Sequence, residues 1–221
     1  MARRVRAPLA AWAGCALALA LLALVAYGID AAQRTDASLR ERFVARGDSG
    51  LDLLAGVLVH LGDPLPLLVM LALACGIALS RGRPLDAVAA FTVVAGANLT
   101  TQLLKVGLSH PRFQSAVGAE QLGEVPFPSG HVTAVTSIAI AFAFVVPRER
   151  RPLVALLGAA AVCAVGCSVM ILSWHYPSDV LGGILVASGW GFAVLAARRA
   201  AAGGRSDGGP QVSSRTAIAT K

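Results

Sequence analysis

The sequence predicts an all-α, polytopic membrane helical bundle of six transmembrane helices with an additional short interfacial helix, and three observations predict it. Only 14% of the 221 residues are charged and 56% are hydrophobic, whereas a soluble domain carries about 25% charged residues. Mean hydropathy is +0.70, so too little charge is present to cover a water-exposed surface or to keep the chain disordered. Six apolar runs approach the roughly 17–25 residues that cross a hydrocarbon core of about 30 Å. The net charge of +7 is carried by short basic clusters at the ends of those runs, the pattern of membrane orientation and not of a nucleic-acid groove.

Taken in order, the first run is Leu9–Tyr27, preceded by Arg3, Arg4 and Arg6. It exceeds the h-region of a signal peptide, about 7–15 residues, and reads as an uncleaved anchor. Cys15 follows Ala13-Gly14, but most of the apolar run comes after it, which argues against a lipoprotein site. A polar outer loop follows, with Arg34, Arg40, Arg42 and Arg46. Leu51–Leu61 is too short to span and is expected to be the interfacial or re-entrant helix, ended by Gly62-Asp63-Pro64. The remaining spans are Pro64–Leu79, Leu85–Leu104, Val132–Val146, Leu153–Leu172 and Val180–Ala197. Cys15, Cys75, Cys163 and Cys167 all lie in apolar stretches and are expected to be small buried hydrophobes without a disulfide framework. No internal repeat is visible. Residues 1–200 form one domain, and the Gly- and Ser-containing segment 201–221 is expected to be a disordered cytoplasmic tail.

Six spans leave both termini on one side. Thirteen of the 19 Lys and Arg residues fall on that side and six opposite, namely Arg34, Arg40, Arg42, Arg46, Lys105 and Arg112. Short basic loops stay in the cytoplasm, so both termini are expected there, in a plasma membrane of bacterial type.

This topology gathers the unusual polar residues at the outer ends of the third to sixth spans. Ser129-Gly130 opens a helix whose unpaired N–H groups form an anion site, and glycine admits an oxyanion close to the backbone. Lys105 and Arg112 supply positive charge to phosphoryl oxygens. His175 has Asp179 four positions on, and a carboxylate on one ring nitrogen frees the other for attack. His131 arrives on another helix, where it could protonate a leaving alkoxide. The cations are built in, so such a site calls for no metal and no other cofactor.

Each signal also has a plainer reading. Pro128-Ser129-Gly130-His131 serves equally as a turn and helix cap. His175 and Asp179 could be an ordinary hydrogen-bonded pair, or two zinc ligands with His131 as third. Lys105 could snorkel to the interface. His60 reads as structural and His110 as a weak site candidate. Trp12, Trp174 and Trp190 read as packing or interfacial anchors. Order and a shared face favour the site.

Lys105-x6-Arg112, Pro128-Ser129-Gly130-His131 and Ser168-x6-His175-x3-Asp179 together resemble the three-part signature of the type 2 phosphatidic acid phosphatase superfamily of integral membrane lipid phosphatases. The resemblance covers about residues 50–197 and implies a six-helix core with the site at the non-cytoplasmic face. It makes His175 the nucleophile of a phosphohistidine mechanism, Asp179 its orienting partner and His131 the acid and then the base. Lys105, Arg112, Ser129 and Gly130 would hold the phosphoryl group. The implied partners are a phosphorylated lipid substrate and the membrane, with no nucleic acid. Two positions depart from the pattern: Phe113 stands where proline usually follows Arg112, and Val169 where the third motif carries arginine. One of the four loop arginines, or protonated His110, could fill that second gap. A phosphotransferase, or a silent binder of phosphorylated lipid, would carry much the same set.

Overall fold

The computed structural model describes residues 2–44, 49–108 and 127–206, and among them every regular element is helical. In chain order the helices are α1 (Ala2–Gly28), α2 (Asp30–Val44), α3 (Ser49–Val59), α4 (Pro64–Ser80), α5 (Pro84–Gly107), α6 (Gly130–Val145), α7 (Arg151–Ile171) and α8 (Pro177–Ser206). Proline occupies the first turn of α4, α5 and α7, where its missing N–H costs nothing.

Among the described residues, four helices are long and apolar enough to cross a membrane: α1, α5, α7 with its preceding turn, and α8. A short 3-10 turn, His60–Gly62, joins α3 to α4, and the two arms together have the length of a fifth span bent by 51°. The bend falls at Gly62-Asp63-Pro64, the break visible in the sequence. The sixth apolar helix, α6, has 16 residues. It is enclosed by α4, α5, α7 and α8, so its length is set by its neighbours instead of by the hydrocarbon thickness.

Val132 and Val135 of α6 pack with Val59, Val165 and Val169, while Ala141 and Val145 close a second cluster with Ala74, Ala78, Ala90 and Val94. Outward faces carry Leu17, Leu24, Leu65, Leu99 and Leu156, all largely exposed. An apolar exterior around a small-residue interior is what a lipid solvent selects. The protein is therefore a multi-pass membrane protein.

At one end of the bundle, buried Asp86 is clamped by Arg83 and Arg198. There Arg199 also donates to the Arg4 carbonyl at 3.1 Å, which places the start of α1 and the end of α8 together.

Three expectations need correction. The segment after the first span is a helix, α2, and not a loop; with α3 it makes two short helices where one was expected. Cys163 and Cys167 are exposed on α7 and not buried, because that face of the helix packs against no other helix among the described residues. The last helix continues to Ser206, since Ala-Arg-Arg-Ala-Ala-Ala is a strong helix-forming run. The rest of the expected tail lies outside the described residues.

Candidate active site

At the opposite end from the Asp86 clamp, four helix ends meet. The Lys105 ammonium, in the last turn of α5, lies 3.8 Å from where a Cβ on Gly130 would stand. It therefore sits against the first turn of α6. Ser129 caps that helix by accepting from the Val132 amide at 3.5 Å, and its own amide donates to the Asp179 carbonyl at 2.9 Å. The second bond ties the start of α6 to the first turn of α8. Close approach makes this possible: a side chain at Gly183 would put its Cβ 2.8 Å from the Ser129 carbonyl oxygen.

His175 is delivered by the end of α7. Ser173 adopts a left-handed conformation, φ 63°, and its amide bonds to the Met170 carbonyl while the Trp174 amide reaches the Val169 carbonyl at 2.9 Å. This pair of bonds is the Schellman closure of a helix. The His175 amide shares the same Val169 carbonyl at 3.2 Å, so the closure also aims the histidine. Its imidazole is buried, with Nδ1 3.5 Å from an Asp179 carboxylate oxygen that also accepts from the Tyr176 amide at 2.8 Å. The imidazole contact is an ion-pair distance and is longer than a formed hydrogen bond. Asp179 itself is fully buried.

His131 stands on the first turn of α6, its ring 5.6 Å from that of Trp174, the residue before His175. The structure thus brings Lys105, Ser129, Gly130, His131, His175 and Asp179 to one end of the bundle. Arg112, His110 and Phe113 lie outside the described residues. Among the described residues, no three His, Cys, Asp or Glu side chains are grouped to hold a metal ion.

Three further residues lie beside this cluster, two of them missed by sequence reasoning. Asp63, at the α3–α4 bend, accepts from His131 Nε2 at 3.2 Å and from His60 Nδ1 at 2.7 Å. Asp36 of α2 caps the start of α8, accepting from the Ser178 amide at 3.0 Å and hydroxyl at 2.5 Å. One helical turn on, Arg40 is buried with its guanidinium carbon 4.9 Å from the centre of the Tyr176 ring, and its Nε has no hydrogen-bond partner among the described residues. Of these, only Arg40 was signalled, as one of four loop arginines. Val169 is fully buried in the cluster of Val59, Val132 and Val165.

The family model for the PAP2 superfamily matches residues 86–202, just over half of the sequence. The chain belongs to the PAP2 superfamily. A curated relative, lipid A 1-phosphatase of Rhizobium etli, is 33% identical over 118 residues, which is 48% of this chain and 47% of the relative. The chain therefore aligns with about half the length of that relative. A solved structure, that of a transmembrane PAP2-type phosphatidylglycerolphosphate phosphatase from Bacillus subtilis, superposes with a TM-score of 0.72 at 20% identity, covering 91% of this chain and 98% of that one. The likeness is one of fold, and at 91% of this chain it extends well beyond the matched PAP2 segment.

Proposed function

We propose that this PAP2 protein is a lipid phosphate phosphatase that hydrolyses a phosphomonoester or diphosphate through a phosphohistidine, without a metal, at the non-cytoplasmic face of the plasma membrane. The observation that carries the reading is the meeting of Lys105, the capped start of α6, His131 and the His175–Asp179 pair at one helix-end cluster. The names of the two similar proteins, lipid A 1-phosphatase and phosphatidylglycerolphosphate phosphatase, support a phosphorylated lipid as the substrate. In this reading six spans, with α3 re-entrant and α4 and α6 each crossing, leave both termini in the cytoplasm, which the distribution of basic residues supports. Residues 1–200 act as the one catalytic domain.

In this mechanism Lys105, Arg112 and the Ser129-Gly130 backbone hold the phosphoryl oxygens. His175 Nε2 attacks phosphorus as the bond to the lipid oxygen breaks, and His131 gives that oxygen its proton. His131 then takes a proton from water, whose oxygen attacks phosphorus, breaks the P–N bond and releases inorganic phosphate. Asp179 holds the His175 tautomer and stabilises its positive charge. Arg40 supplies the cation absent at Val169: it is buried beside Tyr176, the residue next to His175, and its Nε is still available as a donor.

The test is phosphate release by the purified protein from a panel of lipid phosphates, in EDTA. His175→Ala should abolish turnover on all of them. His131→Ala should cost roughly 10²–10⁴ on a lipid monoester and far less on p-nitrophenyl phosphate, whose leaving group needs no proton. Tight vanadate or lipid binding without any release would establish the silent-binder function instead, and transfer of phosphate to an added alcohol would establish a phosphotransferase.

A further inference from the structure

We infer that Asp63 is a positioning residue for the proton-transfer step, holding His131 in the tautomer that keeps Nδ1 turned to the phosphoryl site. The inference rests on the proposed role of His131 as acid and base. Asp63 lies outside the residues matched by the family model, and nothing in the three motifs points to it.

The geometry assigns the proton. A carboxylate can only accept, so the 3.2 Å contact between Asp63 Oδ1 and His131 Nε2 requires the hydrogen to be on Nε2. Nδ1 is then the nitrogen that exchanges a proton with substrate. The imidazolium donates from Nδ1 to the lipid oxygen, leaving the neutral Nε2–H tautomer, and the vacated Nδ1 lone pair accepts the proton of the attacking water. Asp63 bonds Nε2–H throughout and offsets the positive charge while both nitrogens are protonated.

The carboxylate is itself held. Its Oδ2 accepts from His60 Nδ1 at 2.7 Å, and His60 is 68% exposed while the His131 side chain is 27% exposed. His60 thus anchors Asp63 from the solvent side and fixes which oxygen is left for His131. The backbone has been shaped for the contact: a Cβ at Gly62 would lie 2.7 Å from both Cα and Cβ of His131, so only glycine lets the bend seat against the first turn of α6. From the other side the Trp174 ring stands 5.6 Å from the imidazole. His131 is therefore gripped between the α3–α4 bend and the loop that carries His175. The site contains two carboxylate–imidazole pairs, Asp179 with the Nδ1 edge of His175 and Asp63 with the Nε2 edge of His131, which leave opposite nitrogens for the two chemical tasks.

The experiment compares Asp63→Asn, His131→Ala and the double variant on two substrates, a diacylglycerol phosphate in detergent micelles and p-nitrophenyl phosphate. Asp63→Asn should reduce kcat on the lipid at least tenfold more than on p-nitrophenyl phosphate, with KM little changed. The double variant should be no slower on the lipid than His131→Ala alone, because a positioning residue has nothing left to position. Asp63→Glu should restore part of the lost rate. Equal losses on both substrates, or additive losses in the double variant, would overturn the inference. If His131→Ala itself shows no dependence on leaving group, the proposed role of His131 fails instead. A second measurement needs no turnover: 15N spectra of histidine-labelled protein should show His131 protonated at Nε2 in the wild type and a mixed tautomer in Asp63→Asn. A mixed tautomer in the wild type would refute the assignment.

Discussion

The proposed mechanism has Arg40 supply the positive charge that Val169 does not. Val169 is packed among Val59, Val132 and Val165, so Val169→Arg would bury a cation without a partner. That substitution should cost about 3 kcal/mol or more of stability instead of tightening phosphate binding. Arg40, on α2, lies against the ring of Tyr176, the residue next to His175. A charge-assisted hydrogen bond is worth about 1.5–3 kcal/mol, so Arg40→Ala should weaken vanadate inhibition about tenfold or more. Arg34→Ala, on the exposed side of α2, should change it less than twofold. Equal inhibition constants for Arg40→Ala and wild type would remove Arg40 from the phosphate site. That Lys105, Ser129, Gly130, His131, His175 and Asp179 gather at one end of the bundle was legible from order and spacing, because each sits at or next to a helix end; Arg112 lies outside the described residues. Asp63 and Asp36 were not legible: each meets its partner across a helix interface, 68 and 142 residues away, and no local pattern records such a pairing.

Among the elements, the closure of α7 is the most exacting. Ser173 holds φ 63°, a region that costs a non-glycine residue roughly 1–2 kcal/mol. Ser173→Gly should therefore raise the melting temperature of the detergent-solubilised protein by about 2–4 °C, and Ser173→Val should lower it and reduce turnover by misaiming His175. A fall in melting temperature for the glycine variant would contradict this account. The long apolar helices were legible because lipid demands unbroken hydrophobic runs, and the α3–α4 bend because Gly-Asp-Pro ends a helix. Helix α2 escaped notice for the converse reason. Its sequence, with three Ala and three Arg in 15 residues, has helix propensity but no apolar run, and a reading keyed to hydrophobic length takes it for a loop.

For the whole molecule, the topology has a direct check. In a cysteine-free background, a membrane-impermeant maleimide should label Cys at Glu41 of α2 in intact cells and reach Cys at Arg150, in the turn before α7, only after permeabilisation. Both positions are exposed, so the opposite pattern would invert the protein in the membrane. The Asp86 clamp has a further consequence for the bilayer around it. Nineteen residues separate Asp86 from Lys105 along α5, a rise of about 28 Å, close to one hydrocarbon thickness. One end of that rod is riveted by Arg83 and Arg198, and the other must keep its ammonium beside Gly130. Most spanning helices answer a thicker or thinner membrane by tilting; α5 cannot swing without withdrawing Lys105 from the start of α6. Hydrophobic mismatch should therefore register as lost catalysis, with turnover in reconstituted vesicles peaking at one acyl-chain length and falling on both sides of it, so that membrane thickness itself selects where the enzyme works.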